Sequence, residues 1–412
     1  MAQTLNRRAF LSRSALLGCS LAASPLVTPV SFAAAPGDGR LVVIVLRGGM
    51  DGLDALRPYG DPGYAALRKG PFGIDRQADV PDLDGYFALH PSLATLMPLW
   101  SAGQLAAVHA VSTPYRDKRS HFDGQDLLEA GTSDFSGGRS RDGWLNRLLT
   151  LLPGTDVETA YAIGRGSMAI LDGQAPVSRW SPDSDLALSP QALTLARLVM
   201  QDDPAFAAAM EQAFALADGD GDAIAVEGGM REMMTMMNDD AAAARSAAGE
   251  IRMADFAAQR LRGDARIASF SINGWDTHEA QDRSLPRALS RLAETILALQ
   301  KGLGGPIWKN TAVVAVTEFG RTARINGSGG TDHGTGGMML LAGGALRGGR
   351  VVADWPGLDE SALYERRDLM PTRDMRAHLG WLMHGLFGVS RSDLERVVFP
   401  GLDMGGDPGL LL

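Results

Sequence analysis

The chain has 412 residues, of which 45% are hydrophobic and 21% charged, and its formal net charge is -9. This composition excludes a disordered or fibrous protein and is typical of a chain that buries a large core. The excess of acidic residues argues against nucleic acid as the main partner. The length indicates roughly two or three domains, or a single large α/β domain with insertions.

The N-terminus is typical of a twin-arginine export signal. Arg7 and Arg8 precede a moderately apolar region and then a run of alanines that ends at Ala35. Small residues after such a region indicate a cleavage site, so residues 1–35 are predicted to be a signal peptide and 36–412 the mature domain. Cleavage would remove three arginines and no acid, which takes the net charge from -9 to -12. The expected location is the periplasm or the extracellular space, with the Tat translocase as a partner during export.

Cys19 is the only cysteine, and it lies within the predicted signal. The residues before it loosely resemble a lipoprotein cleavage box, so lipid anchoring at Cys19 is an alternative. Otherwise the mature chain has no thiol, which excludes disulfides and thiolate ligands and leaves oxygen and imidazole to hold any metal. No later run of about 18 apolar residues follows, so the mature chain is predicted to lack a transmembrane segment.

Four apolar runs are predicted to be buried strands of a mostly parallel sheet, because they lack the polar alternation of half-exposed strands. They cover residues 41–46, 105–111, 266–272 and 311–317. Helices are predicted over 90–100, 120–129, 143–152 and 287–301. A strand or hairpin is predicted over 161–171 and further strands over 338–341 and 350–352, and Thr372 is predicted to cap a last helix. Residues 58–87 predict a surface excursion, and residues 189–263 a mostly helical insertion. The alternation of strands and helices predicts an α/β fold.

Each of the four buried runs leads into a polar or glycine-rich loop. Because ligands of open α/β sheets bind outside the carboxyl ends of the strands, these loops are predicted to meet at one rim. Their carboxylates and imidazoles form a mixed oxygen and nitrogen set, which suits a divalent metal. The predicted metal ligands are Asp51, Asp276, His278, Glu318, Asp332 and His333.

Other roles remain open for two of these residues. Asp51 also fits a turn, since aspartate favours turns through its own hydrogen bonds. Glu318 fits a ligand, a residue that supports a ligand, or an ion-pair partner of Arg321.

Ser120 and His121 follow a basic loop and precede a predicted helix. A hydroxyl at a helix N-terminus with cations nearby is a place where an anion is held and a nucleophile is activated. Ser120 and His121 are therefore the predicted catalytic residues, and Arg116, Arg119 and Arg321 the predicted substrate-binding residues. Ser120 also fits a simple N-cap, and the arginines also fit a solvated loop.

Several motifs together resemble the exported DUF1501 family. They are LRGGMDGLDAL (46–56), RSHFDGQDLLEAG (119–131), GWDTH (274–278), TEFGRT (317–322), NGSGGTDHGTGG (326–337), GGALRGGRV (343–351) and PTRDMRA (371–377). The family has a wider similarity to the alkaline phosphatase and sulfatase superfamily, whose members hydrolyse phosphate or sulfate esters with one or two divalent metals. The resemblance implies a three-layer alkaline phosphatase-like core. It also implies that Asp51 is the first-strand metal ligand and Ser120 the nucleophile, with Asp276, His278, Asp332 and His333 completing the metal shell.

The sequence departs from that superfamily in one place. An Asp-His pair usually stands directly at the end of a late strand, whereas Glu318 and Phe319 stand here and Asp332 and His333 come fourteen residues later. Which pair fills which metal position therefore stays open, as does catalytic competence.

The expected function is an exported, metal-dependent hydrolase of phosphate or sulfate esters. Its substrate would be a small anionic ester or an anionic polymer, and its cofactor Zn, Mn, Mg or Ca. One alternative is a non-catalytic periplasmic binding protein for an anionic ligand or polymer. Another is an assembly or maturation factor for a second exported protein, because family members often occur beside genes of another exported family.

Overall fold

The computed structural model describes residues 37–74, 80–116, 119–133, 142–164, 168–182 and 234–412, with the backbone alone for 234–246. The predicted export signal and residues 189–233 of the predicted insertion lie outside the described residues, so both stay predictions. The rest of that insertion is a helix, Met234–Leu261. None of the described helices combines the length and the apolar character that a membrane span requires.

Nine of the described strands form a central sheet, and two further strands of two residues each form a small antiparallel sheet. The strands are β1 (Arg40–Arg47), β2 (Leu56–Arg57), β3 (Ala88–Leu89), β4 (Leu105–Ser112), β5 (Ala160–Ile163), β6 (Ser178–Trp180), β7 (Ile267–Asn273), β8 (Thr311–Val316), β9 (Gly337–Ala342), β10 (Arg350–Val352) and β11 (Arg373–Asp374). The order in the sheet is β10-β4-β9-β8-β1-β7-β5-β6, and β11 also pairs with β4. Among the described strands of this sheet, β9 alone runs antiparallel to its neighbours. The prediction of a mostly parallel sheet is confirmed.

Helices cover both faces of the sheet. Those of the described residues are α1 (Gly52–Ala55), α2 (Tyr64–Leu67), α3 (Met97–Ser101), α4 (His121–Ala130), α5 (Trp144–Leu149), α6 (Met234–Leu261), α7 (Gln281–Trp308), α8 (Met375–Phe387) and α9 (Arg391–Asp393). α6 and α7 contribute to the core on one face, while α5 and α8 contribute to the core on the other. The fold therefore has three layers, helices, sheet and helices, as predicted.

β1 shows why its sequence has no polar alternation. Val42, Ile44 and Leu46 point into the core on the α7 face, whereas Val43 and Val45 point into the core on the α8 face. Both sets are fully buried. A strand with a helix layer on each side needs apolar residues at every position, and each buried aliphatic side chain contributes about 1.5–3 kcal/mol.

Two helix boundaries differ from the prediction. Helix α7 begins six residues before the predicted start, and a kink at Gly304 divides it near the predicted end. Thr372 does not cap α8, because the chain stays extended through β11 and Asp374 takes the cap position. The Thr372 hydroxyl instead donates to the carbonyl of Ala110.

The predicted surface excursion, residues 58–87, contributes a buried ion pair. Nη1 of Arg68 lies 2.6 Å from a carboxylate oxygen of Asp51, and both residues are 1% exposed. Arg68 also donates to the backbone carbonyls of Thr322 and Ala323. Burial raises the pKa of Asp51, but the Arg68 guanidinium, the hydrogen bond from Gln281 and the charge of Arg321 together outweigh burial and hold the pKa below its usual value. The ion pair fastens the excursion to the loop that follows β1.

Replacement of Arg68 by methionine should lower the free energy of unfolding by about 3–5 kcal/mol, because it leaves the Asp51 carboxylate buried without a counter-charge. Urea denaturation of the two proteins measures the difference. Arg396→Met is the matched control, since it removes an exposed ion pair with Asp393 and should cost less than about 1 kcal/mol. Equal losses in the two variants would show that the buried pair is not a fastening point.

Candidate metal centre

Loops from four strands meet at one edge of the sheet. β4, β7 and β8 run parallel, so their carboxyl ends share that edge, and the antiparallel β9 begins there. His121 opens helix α4 after β4, Asp276 and His278 follow β7, and His333 precedes β9. Ligand atoms of His121, Asp276 and His333 all lie within 4.8 Å of one another. The structure thus contains a possible His/Asp metal site.

Three imidazoles direct the same ring atom, Nε2, toward one carboxylate. The distances from the carboxylate oxygens of Asp276 are 3.4 Å to Nε2 of His121, 3.1 Å to Nε2 of His278 and 3.5 Å to Nε2 of His333. The Nε2 atoms of His278 and His333 are 2.9 Å apart. The four side chains therefore form one cluster.

The other ring nitrogen of each imidazole, Nδ1, contacts an oxygen that accepts hydrogen bonds. The pairs are His121 with Glu318 Oε1 (2.8 Å), His278 with Asp332 Oδ1 (3.2 Å) and His333 with the carbonyl of Arg119 (2.7 Å). Because a carbonyl or an ionised carboxylate cannot donate, each Nδ1 carries a proton. Each Nε2 is then available to bind a second proton or a metal ion.

Among the described residues, the three Nε2 atoms face the carboxylate of Asp276 or another imidazole, and neither offers a hydrogen-bond donor to a bare nitrogen unless a second proton is bound. Nε2 of His121 is buried and has no hydrogen-bond partner in the described part of the chain. The 2.9 Å between Nε2 of His278 and Nε2 of His333 requires a proton or a cation, since two bare lone pairs repel each other. At tetrahedral angles, Zn–N bonds of about 2.0–2.1 Å place two ligands of one ion ~3.3 Å apart, slightly farther than these two atoms. The residues therefore fit a divalent metal.

The buried carboxylate of Glu318 supports the same conclusion. Its Oε1 accepts from His121 Nδ1 (2.8 Å), the N–H of Gly48 (2.9 Å) and Nε2 of Gln125 (3.1 Å), and its Oε2 accepts from Thr317. Burial raises the pKa of Glu318, but the hydrogen bonds from His121, Gln125 and Gly48 together outweigh burial and hold the pKa below its usual value, so the group is ionised. The hydrogen bond between His121 and Glu318 raises the pKa of His121. The counter-charge of Glu318 thus comes from the imidazolium or from a cation on that ring.

Arg321 lies behind the cluster. Its guanidinium donates to Oδ1 of Asp276 at 2.6 Å and to the backbone carbonyls of Gly49, Trp275 and Thr331. Burial raises the pKa of Asp276, while Arg321 holds the net value below its usual range. With 1% of Arg321 exposed, the structure places this predicted substrate-binding residue where it fixes Asp276 instead.

Two other predicted residues have structural contacts. Asp51 does not join the cluster, because its carboxylate accepts from Arg68, Gln281 and the backbone N–H groups of helix α1. The hydroxyl of Ser120 caps helix α4 by accepting the N–H of Asp123 at 3.4 Å. Ser120 still lies beside the cluster, since His121 is the next residue.

The two arginines of the basic loop differ in exposure. Arg116 is half-buried and donates to the carbonyls of Thr113 and Tyr115. The side chain of Arg119 is 41% exposed, and its Nη2 lies 3.3 Å from Glu365. Arg119 thus remains accessible at the rim of the cluster, next to His333.

Sequence reasoning predicted Asp276, Glu318 and Asp332 as ligands, with a supporting role left open for Glu318, and did not identify Gln125. The structure separates the acids: Asp276 faces the three Nε2 atoms, whereas Glu318 and Asp332 hold imidazoles from behind. A signal for Gln125 was present, because residues four apart on a helix share a face and His121 opens the predicted helix.

The family described as "Protein of unknown function (DUF1501)" matches residues 38–383. The chain belongs to the DUF1501 family. Among curated proteins, none matches this DUF1501 sequence.

Two solved structures are similar to this DUF1501 protein over most of the chain. One is the lipoteichoic acid synthase LtaP from Listeria monocytogenes, at 12% identity and a TM-score of 0.40, covering 92% of this chain and 78% of that chain. The other is Ps i-CgsB in complex with k-i-k-neocarrahexaose, at 10% identity and a TM-score of 0.38, covering 86% of this chain and 73% of that chain. Similarities this low carry no argument about function.

In the metal-free protein we expect Nδ1 to be protonated in His121, His278 and His333, because each contacts an acceptor oxygen. Long-range ¹H–¹⁵N correlation spectra distinguish the ring nitrogens. His109 is the internal control with the opposite pattern, since its Nδ1 accepts the N–H of Ala110 and its Nε2 contacts the carbonyl of Leu56. Burial lowers the pKa of His109 to about 4, so this ring is neutral at pH 7. A bare Nδ1 in any of the three site histidines would contradict the described geometry.

Proposed function

We propose that this DUF1501 protein holds a divalent metal ion between His121, Asp276 and His333, with His278 beside them. The observation that carries the proposal is the common orientation of the imidazoles, in which each Nδ1 is anchored to an oxygen and each Nε2 points toward Asp276. Anchored imidazoles of this kind are the usual partners of a protein-bound metal.

The donor set narrows the choice of metal. Imidazole suits Zn, Cu, Fe and Ni, whereas Ca and Mg prefer shells made of oxygen. A set rich in nitrogen with one carboxylate therefore favours Zn over the Mn, Mg and Ca that the sequence left open.

We infer further that the centre serves hydrolysis of phosphate or sulfate esters. The site is open to solvent, with the side chains of Asp276 and His278 47% and 40% exposed, so water or a substrate could reach an ion bound there. A bound divalent ion would supply a Lewis acid and lower the pKa of bound water. Arg119 at the rim would hold the anionic group of the substrate.

Ser120 is the proposed nucleophile. Its hydroxyl lies at the N-terminus of helix α4, directly before His121, and the positive end of the helix dipole would stabilise an alkoxide there. Among the described residues, its hydroxyl accepts one hydrogen bond, from the N–H of Asp123, which is long at 3.4 Å and leaves the hydroxyl proton available for transfer.

Export by the twin-arginine route also belongs to the proposal. The support is the Arg7-Arg8 signal in the sequence. That route carries folded proteins, which would allow the metal to be bound before secretion. The periplasm or extracellular space, a Tat translocase during export and a co-exported partner are the corresponding expectations.

Alanine at His121 or His333 should weaken Zn²⁺ binding by more than about 100-fold, since loss of a support alone costs 10–100-fold. Competition with a chromophoric chelator measures the affinity of the mature protein. His384→Ala is the control: this exposed histidine of helix α8 contacts the carbonyl of Val389, and its loss should leave the affinity unchanged. Unchanged affinity in both site variants would disprove the proposed centre.

Zinc-loaded protein should hydrolyse an aryl phosphate or an aryl sulfate, and Ser120→Ala should abolish that turnover while retaining the metal. Loss of a serine N-cap itself costs about 1 kcal/mol. Ser390→Ala controls for this cost, because Ser390 caps helix α9 in the same way. If the protein binds metal but shows no turnover, the alternative of a non-catalytic binding protein is favoured. If it binds no metal, the alternative of an assembly factor is favoured.

A further inference from the structure

Gln125 lies one helical turn after His121 on the same face of α4. Its Nε2 donates to Oε1 of Glu318 at 3.1 Å, and its Oε1 accepts from Nη1 of Arg47 at 2.9 Å. A carboxylate only accepts and a guanidinium only donates, so these partners fix the orientation of the amide. Gln125 therefore links the carboxylate behind His121 to a cation at the end of β1.

The link continues into the protein interior. Nη2 of Arg47 lies 2.7 Å from Oε1 of Glu129, and Oε2 of Glu129 accepts the N–H of Ile170 at 2.9 Å. Glu129 is 3% exposed, and burial raises its pKa. The far end of the chain of contacts is thus held by the backbone, which limits the positions available to Gln125.

A neutral amide has a specific effect between Glu318 and Arg47. A direct contact would let the guanidinium neutralise Glu318 and compete with His121 for the same oxygen. The amide instead passes on one hydrogen bond and adds no charge. The negative charge of Glu318 is therefore balanced by the ring of His121 and by a cation on Nε2 of His121.

We propose that Gln125 is a positioning residue of the metal centre. It holds the Glu318 carboxylate where that group receives the Nδ1 proton of His121, and so directs Nε2 of His121 toward Asp276. Gln125 contacts none of the proposed ligand atoms itself. This inference rests on the proposed function, because it assigns Gln125 to the same site.

A second amide stands in the same relation to another imidazole. Asn326 donates to Oδ1 of Asp332 at 3.1 Å, and Asp332 pairs with Nδ1 of His278. Asn326 also accepts the N–H groups of Ser328 and Gly330 and so closes its own turn. Gln125 does not close a turn in this way, so its substitution is the clearer test of a positioning role.

Gln125→Met keeps the length of the side chain and removes the donor. Zn²⁺ affinity of the mature protein should fall by about 10-fold, as for loss of a support behind a ligand. In a Glu318→Gln background the same substitution should have no further effect, because Gln125 acts through that carboxylate. Asp126→Asn, at the exposed next position of α4, is the control and should leave the affinity unchanged.

Several outcomes would overturn the inference. An unchanged Zn²⁺ affinity in Gln125→Met would do so. A Gln125→Met substitution that lowers the affinity as much in the Glu318→Gln background as in the wild-type protein would also do so. If the wild-type protein binds no Zn²⁺, the proposed function fails, yet the role of Gln125 is still measured by NMR of the metal-free protein. At a pH where His121 is neutral, Gln125→Met should raise the fraction of that ring with a bare Nδ1, while His278 stays unchanged as the reference. An unchanged His121 signal would refute the positioning role.

Discussion

The candidate centre depends on a carboxylate that is out of contact with water. Glu318 is 0% exposed, and of its hydrogen-bond partners among the described residues, His121 is the one that can carry a positive charge. An isolated ionised carboxylate is too costly to bury, so the structure must supply a cation next to it. The ring of His121 meets that demand on one side and offers Nε2 on the other. The imidazoles of His278 and His333 have the same orientation, with Nδ1 against an acceptor oxygen and Nε2 toward Asp276.

The sheet explains how residues so far apart in sequence come together. Parallel strands end at one edge, so the loops after β4, β7 and β8 reach a common point without any long excursion. Arg321, in the loop after β8, joins that loop to the loops after β1 and β7 through backbone carbonyls and Asp276. Arg68 pairs with Asp51 and donates to the carbonyl of Ala323, so it joins the segment after β1 to the loop after β8. The core provides the position of the loops, and buried guanidinium groups fix their relative placement.

Much of the fold was predictable, because a strand covered on both faces has an unmistakable apolar sequence. The residues of the site were predictable as a set, since strand ends in such folds bear the chemistry. Their individual roles were not. Asp51 could not be told from a ligand, because its partner Arg68 lies in a segment whose composition indicates surface. Ligands and supports differ by the direction of a side chain, which spacing along the sequence does not encode.

The antiparallel strand β9 has a consequence for how the centre could load. Because β9 returns beside β8, residues 317–336 form one continuous segment that leaves and re-enters the same edge of the sheet. Glu318 at its start supports His121 of the cluster, and His333 near its end belongs to the cluster. An ion bound there would hold this segment directly through His333 and indirectly through the contact of Glu318 with His121, and closing a short loop costs little chain entropy. Cation uptake would thereby shield the segment from proteases.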